Sequence, residues 1–239
     1  MIHEVLDSDE YGGVIQGAND IVVVEQADGT FKSSPMIIQV DKYLYGNTKK
    51  EVHFFMNDEE AEIELAVNGS GKVLFDREDY KYYLKSEEWE AVGLDHGVNH
   101  GKMVIEDYEL KFNVFLYDQD AKFIVTDIDG TITRSDIKGH LKTRFKMDHH
   151  HKGVIELFDK ADENGYNIFY LTARSVAQYD TTKAYLFEVR FKNSNFQYYK
   201  INFSNFKIVT GTPYLSVQFS CHQELLLKLA MLNCLILHQ

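Results

Sequence analysis

Asp127 and Asp129 stand two residues apart, directly after the apolar run Phe123-Ile124-Val125-Thr126 and directly before Gly130-Thr131. Two carboxylates delivered by a short strand into a glycine turn suit phosphoryl transfer. One attacks phosphorus and carries an aspartyl-phosphate, while the other protonates the leaving oxygen and later takes a proton from water. A carboxylate and a phosphate repel each other, so the same pattern calls for Mg²⁺ held by Asp127 and Asp129. A bare Asp-Gly pair marks only a turn. An apolar strand that ends in Asp-x-Asp-Gly-Thr is far rarer.

The elements that must position these acids can be read nearby. Lys122 to Thr126 reads as a strand buried on both faces, and Gly130 lets the backbone turn where a side chain would strain it. Beyond the strand end, the acids would sit in the crevice at the carboxyl edge of a parallel sheet, where open α/β sheets bind ligands. Val154, Leu157, Phe158 and Ala161 recur at helical spacing, and Gly165 to Thr172 is a second apolar strand. Strand, helix, strand makes a βαβ unit, with Thr172 at the same sheet edge as Asp127. There the Thr172 hydroxyl donates to a phosphoryl oxygen, Arg174 adds positive charge, and Gly130 and Thr131 complete the substrate-binding loop.

These residues resemble a known family. The Asp-x-Asp-Gly-Thr strand followed by a strand ending in Thr is similar to the haloacid dehalogenase superfamily. The run Asp127 to His140, then His151-Lys-Gly-Val, then Asn164 to Ser175, resembles the catalytic segment of lipin-type phosphatidate phosphatases. Ile21 to Pro35 is similar to the amino-terminal lipin segment, and Gly93-Leu94 with Gly97-Val-Asn99 resembles the stretch that leads into the catalytic strand. The resemblance covers roughly residues 12 to 187. It implies Mg²⁺-dependent conversion of phosphatidate in membranes to diacylglycerol, with Asp127 as nucleophile and Asp129 as acid/base. It also implies a cytoplasmic protein peripherally associated with the endoplasmic reticulum or nuclear membrane.

Composition sets the bounds. The chain has 239 residues, 44% hydrophobic, and a formal charge of −12, which excludes a general nucleic-acid binder. An anionic lipid must then be held locally, by Mg²⁺ and a few cations. Two cysteines, Cys221 and Cys234, and no leader-like amino end favour a reducing, cytosolic setting. No protein partner is indicated.

Residues 20 to 120 read as all-β. Strand-like runs occupy 21–25, 36–40, 51–56, 62–67, 72–75, 102–106 and 109–117, with Asp28-Gly29 and Asn68-Gly69 as hairpin signals. Seven short strands suggest a sandwich. The acidic stretch 76–90, with Trp89, reads as a connecting helix or loop. The expected architecture is α/β joined to all-β: an immunoglobulin-like β-sandwich over 1–120, packed on an incomplete haloacid-dehalogenase-like Rossmannoid parallel-sheet domain over 121–189. Residues 190–239 form an atypical tail, read as aberrant or disordered sequence, where the charge changes from −16 before position 190 to +4.

Other features read as structural. Gly69-Ser70-Gly71-Lys72 lacks a full phosphate-loop frame and reads as a turn. His149, His150 and His151 point in different directions on regular structure, and His151 reads as a cap or loop residue at a helix entry. The tail offers no strand ending in acids. Asp136 or water would complete the metal shell, and Lys207 and Lys228 are candidates for the lysine such phosphatases use. Leu225 to Leu237 falls short of the ~20 residues that span a bilayer and reads as an interfacial or core helix. The amino end, Met1 to Glu10, is short and acidic and would be repelled by anionic lipid. Two further readings stand beside the phosphatidate phosphatase: an inactive lipin-like binding or regulatory fragment, and a phosphatase for soluble phosphate esters.

Overall fold

The structure, a computed structural model, describes residues 17–40, 51–67, 71–75, 82–105, 108–133, 150–172, 176–193, 207–210 and 234–237. The chain divides into two compact units. The first holds Met1–Asp118 with Val176–Asp180, and the second holds Gln119–Ser175 with Thr181–Gln239.

Among the described residues the first unit has ten strands: β1 (Gly17–Ala18), β2 (Ile21–Glu25), β3 (Phe31–Ser33), β4 (Ile38–Gln39), β5 (His53–Met56), β6 (Glu59–Ala61), β7 (Leu65–Val67), β8 (Lys72–Phe75), β9 (Gly97–Ile105) and β10 (Tyr108–Asp118). They form two sheets, ordered β1-β4-β8-β7 and β3-β2-β10-β9-β5-β6. Alternating side chains of both sheets enter one apolar cluster, with Ile38, Val73 and Phe75 from one and Ile21, Val23, Phe54, Met103, Phe112 and Val114 from the other. Within the acidic stretch, helix α1 (Ser86–Val92) adds Trp89, 1% exposed, to the same cluster.

Turn chemistry sets the hairpins. Asp28 Oδ1 accepts from the Thr30 amide at 3.0 Å and its hydroxyl at 2.6 Å, closing the β2–β3 turn. The β5–β6 hairpin turns on Asn57 and Asp58, both at positive φ (50° and 69°), a two-residue turn whose signal the sequence reading passes over. Asn68-Gly69 lies outside the described residues.

Buried polar residues beside the segments that resemble lipins are tied into the fold by hydrogen bonds. Asn19, fully buried, donates to the carbonyls of Asp20 and Pro35 and accepts from the Ile37 amide. Asp20, also fully buried, takes three donors on one carboxylate oxygen: the Asn113 amide (2.9 Å), the Asn113 side chain (3.0 Å) and the Tyr179 hydroxyl (2.5 Å). Burial, then the Asp20 charge, pushes the Tyr179 hydroxyl far above its ordinary pKa, so it stays a donor. Asn99 is buried too, and its side chain accepts from the Asp95 amide and donates to the Asp95 carbonyl.

The second unit contains β11 (Lys122–Asp127), α2 (Val154–Glu163), β12 (Tyr166–Thr172), β13 (Lys207–Thr210), β14 (Cys234–Leu237) and helix α3 (Tyr179–Asn193), which starts in the first unit. The four strands are parallel, ordered β13-β12-β11-β14. Two stretches of the atypical tail thus supply the outer strands. Cys234–Leu237, expected as part of a helix, is strand, paired with Phe123–Thr126. The α2 stripe also differs from expectation. Ile155, Phe158 and Ala161 are buried, whereas Leu157 is 47% exposed, so the face is rotated toward Ile155.

The first unit makes two predictions. A methyl group added at Gly101 would meet the Phe112 ring at 2.2 Å, its cross-strand partner. Gly101→Ala is expected to lower stability by about 1–3 kcal/mol in denaturant unfolding, and an unchanged midpoint would contradict the packing. His53 Nδ1 lies 2.6 Å from Glu60 Oε1, and this bond raises the His53 pKa above its ordinary 6.5. The pair's contribution is therefore full below that value and fades as pH rises through the raised one. An NMR titration is expected to place the His53 midpoint above 6.5 and to return it there in Glu60→Gln.

Candidate active site

β11 lies between β12 and β14, and the chain-order third, second, first, fourth makes its flank a point where successive strands leave in opposite directions. Ligands of open α/β sheets bind outside the carboxyl ends of strands at such points. Asp127 is the last residue of β11, abreast of Leu171, and Thr172 is abreast of Thr210. Leu237, the last residue of β14, is abreast of Thr126. The carboxyl ends of all four strands therefore form one edge.

Local burial explains how both acids reach that edge. Asp127 and Asp129 are half-buried, while Ile128 between them is fully buried. With the apolar side chain turned into the core, its two neighbours stay at the margin. The chain then folds back on the Ile128 carbonyl, which accepts from the Ile132 and Thr133 amides, both at 3.0 Å, and from the Thr133 hydroxyl at 3.3 Å. Gly130 sits at φ 92°, and its amide donates to Thr133 Oγ1 at 3.1 Å. Asp127 Oδ1 accepts from the Ile128 amide at 2.8 Å.

A second segment clasps this turn. His150 bridges Thr133, the His151 amide donates to the Ile132 carbonyl at 2.9 Å, and His151 Nε2 lies 3.2 Å from the Gly130 carbonyl. The loop role read for His151 is thus given specific partners. Thr133 was not singled out by sequence reasoning. Its signal is a hydroxyl three residues after the glycine, the spacing of a side chain that closes a turn.

The other anticipated residues fall variously. Gly130 and Thr131 lie in the turn and are half-buried; Thr172, at the strand end, is 1% exposed. Arg174, Asp136, Lys228 and His149 lie outside the described residues. Lys207 opens β13 abreast of Phe169, three residues before Thr210 and so about 10 Å back from the edge.

Among the described residues, another group of potential ligands is Glu25, His96 and Asp118 in the first unit. His96 lies 3.7 Å from each carboxylate; His96 and Asp118 are exposed and Glu25 is half-buried. A set with an imidazole suits a softer cation than Mg²⁺, which prefers oxygen. Asp127 and Asp129 offer carboxylate oxygens at a half-buried strand end, a donor set of the kind Mg²⁺ takes, with water filling the remaining positions.

Residues 80–208 match the family described as LNS2 (Lipin/Ned1/Smp2), and residues 9–91 match that described as lipin, N-terminal conserved region. The match continues past position 187, where the resemblance seen in the sequence ends, into β13. Phosphatidic acid phosphohydrolase 1 of Saccharomyces cerevisiae is 41% identical, over 43% of this chain and 12% of that protein. Nuclear elongation and deformation protein 1 of Schizosaccharomyces pombe is 43% identical, over 39% and 13%. Phosphatidate phosphatase LPIN1 of Homo sapiens is 34% identical, over 54% and 15%. The chain therefore spans a small part of the length of these relatives.

The turn makes its own prediction. Thr133→Val keeps the shape but removes the acceptor of the Gly130 amide, a loss expected to cost about 1–3 kcal/mol. Hydrogen exchange at the Gly130 amide should quicken in that variant, and unchanged protection would contradict the bond.

Proposed function

Because the chain belongs to the lipin family, we propose that it is a Mg²⁺-dependent phosphatidate phosphatase, with Asp127 and Asp129 as its working pair. The observation that carries this reading is the placement of Asp127 and Asp129 around a buried Ile128, at the carboxyl edge of a four-stranded parallel sheet. Relatives named as phosphatidate phosphatases support the substrate. In this reading the first unit is an immunoglobulin-like sandwich and the second a haloacid-dehalogenase-like Rossmannoid domain.

The chemistry follows from the two acids. Asp127, through the carboxylate oxygen not engaged by the Ile128 amide, attacks phosphorus as the bond to the glycerol oxygen breaks. Asp129 gives its proton to that oxygen, releasing diacylglycerol. The resulting carboxylate then takes a proton from water, which attacks the aspartyl-phosphate and frees phosphate, restoring both acids. Thr131, Thr172 and Arg174 hold the phosphoryl oxygens. When bound by Asp127 and Asp129, Mg²⁺ supplies the positive charge that offsets repulsion between carboxylate and phosphate.

Asp127 is the only acid within the four described strands of the sheet, and Asp129 follows it closely. The proposed metal site is Asp127 and Asp129, with Asp136 or water completing the shell. No helix among the described residues is long and apolar enough to cross a membrane. We take the enzyme to meet phosphatidate as a cytoplasmic, peripherally bound protein at the endoplasmic reticulum or nuclear membrane.

Phosphate release from phosphatidate in detergent micelles is expected to need Mg²⁺, to vanish in Asp127→Ala, and to fall about 10²–10⁴-fold in Asp129→Asn. Release that persists in Asp127→Ala would remove the assignment. Faster turnover of a water-soluble phosphate ester would favour the soluble-ester phosphatase. Absence of release from any ester in the wild type would favour a binding or regulatory fragment.

A further inference from the structure

His151 occupies a place that its role as a loop residue does not explain. Its ring reaches back across the intervening chain to a single backbone atom, the Gly130 carbonyl oxygen, at 3.2 Å. A carbonyl oxygen can only accept, so Nε2 carries the proton and donates. The His151 amide meanwhile holds the Ile132 carbonyl at 2.9 Å, and the neighbouring His150 bridges Thr133. Side chain and backbone of one residue thus grip the same turn at two points, on either side of Thr131.

The peptide linking Gly130 to Thr131 is planar and trans, so its carbonyl and its N–H point in opposite directions. Holding the Gly130 oxygen therefore aims the Thr131 N–H away from His151. A hydrogen bond accepted at the carbonyl also polarises the amide and makes that N–H a better donor. Gly130, at φ 92° and without a side chain, offers little resistance of its own to rotation of this peptide. Thr133 holds the amide on the other side of Gly130, and His151 holds the carbonyl of this peptide itself.

We propose that His151 is a positioning residue: it orients the Gly130–Thr131 peptide so that the Thr131 N–H binds a phosphoryl oxygen. This rests on the phosphatase reading above. Its benefit lies in the preorganisation of a donor toward charge that grows in the transition state, which costs nothing at the moment of reaction. The step acts through Gly130 and requires no chemistry from the imidazole.

The geometry supplies a discriminating pair of variants. A glutamine amide reaches about as far as Nε2, whereas an asparagine amide reaches only as far as Nδ1. In the full chain with Mg²⁺, His151→Asn is expected to lower kcat for phosphatidate about tenfold or more, with KM changed little, and His151→Gln to stay within about threefold of wild type. Affinity for orthophosphate should follow the same order, and the Thr131 amide ¹⁵N shift should move in the Asn variant and return in the Gln variant. Asn behaving as wild type, or Gln as impaired as Asn while thermal midpoints are unchanged, would overturn the proposal. Should the Asn variant fail to fold, the Gln variant decides, by a Thr131 shift and kcat that are kept or lost. If the wild type shows no Asp127-dependent release, the functional reading fails, and orthophosphate binding alone decides. Weaker binding in Asn with recovery in Gln sustains the positioning role, while equal binding, or none in the wild type, ends it.

Discussion

One backbone carbonyl organises the candidate site. Ile128 lies between the two aspartates with its side chain fully buried, and its oxygen accepts three donors from Ile132 and Thr133. The buried side chain decides which way its neighbours face, and the hydrogen bonds decide where the chain goes next. A strand end left to itself would let Asp129 swing with the loop. Here the turn closes within six residues, and the acid two places beyond the strand is tied to it.

The remainder of the second unit serves to make β11 an inner strand. Phe123 stacks on Phe169 of the neighbouring strand at 4.8 Å, and Phe158 of α2 meets the Tyr170 ring edge-on at 6.1 Å. Both contacts lie below the edge that carries the acids and hold β11 against its neighbours by apolar packing. The first unit has its own apolar cluster and also buries Asn19, Asp20 and Asn99. Each of these polar groups has its hydrogen bonds supplied, as burial demands.

Much of this could be read from residue order, and what could not has physical reasons. Short apolar runs such as Ile21 to Glu25 and Lys72 to Phe75 announce strands because their burial is nearly uniform or strictly alternating. Asp127, Asp129, Gly130, Thr131 and Thr172 were visible as a pattern, since strand end and turn are local. The helical stripe of α2 was legible as a helix but misjudged by one position, because periodicity cannot tell which margin of an apolar face meets the sheet, and Leu157 is the margin left out. Cys234–Leu237 read as helix from its neighbours, yet pairing with β11 is a long-range choice that local composition does not contain. The same holds for the grip of His151 on Gly130, which joins residues twenty-one apart.

The central claim is that Asp127 forms a covalent bond to phosphorus, and trapping that bond tests it most directly. The wild-type chain would be mixed with phosphatidate and Mg²⁺, quenched rapidly, reduced with borohydride and mapped by mass spectrometry. The account predicts homoserine at position 127, the reduction product of an aspartyl-phosphate, and an unmodified Asp129. Turnover with no modification at 127, or modification at another residue, would contradict it.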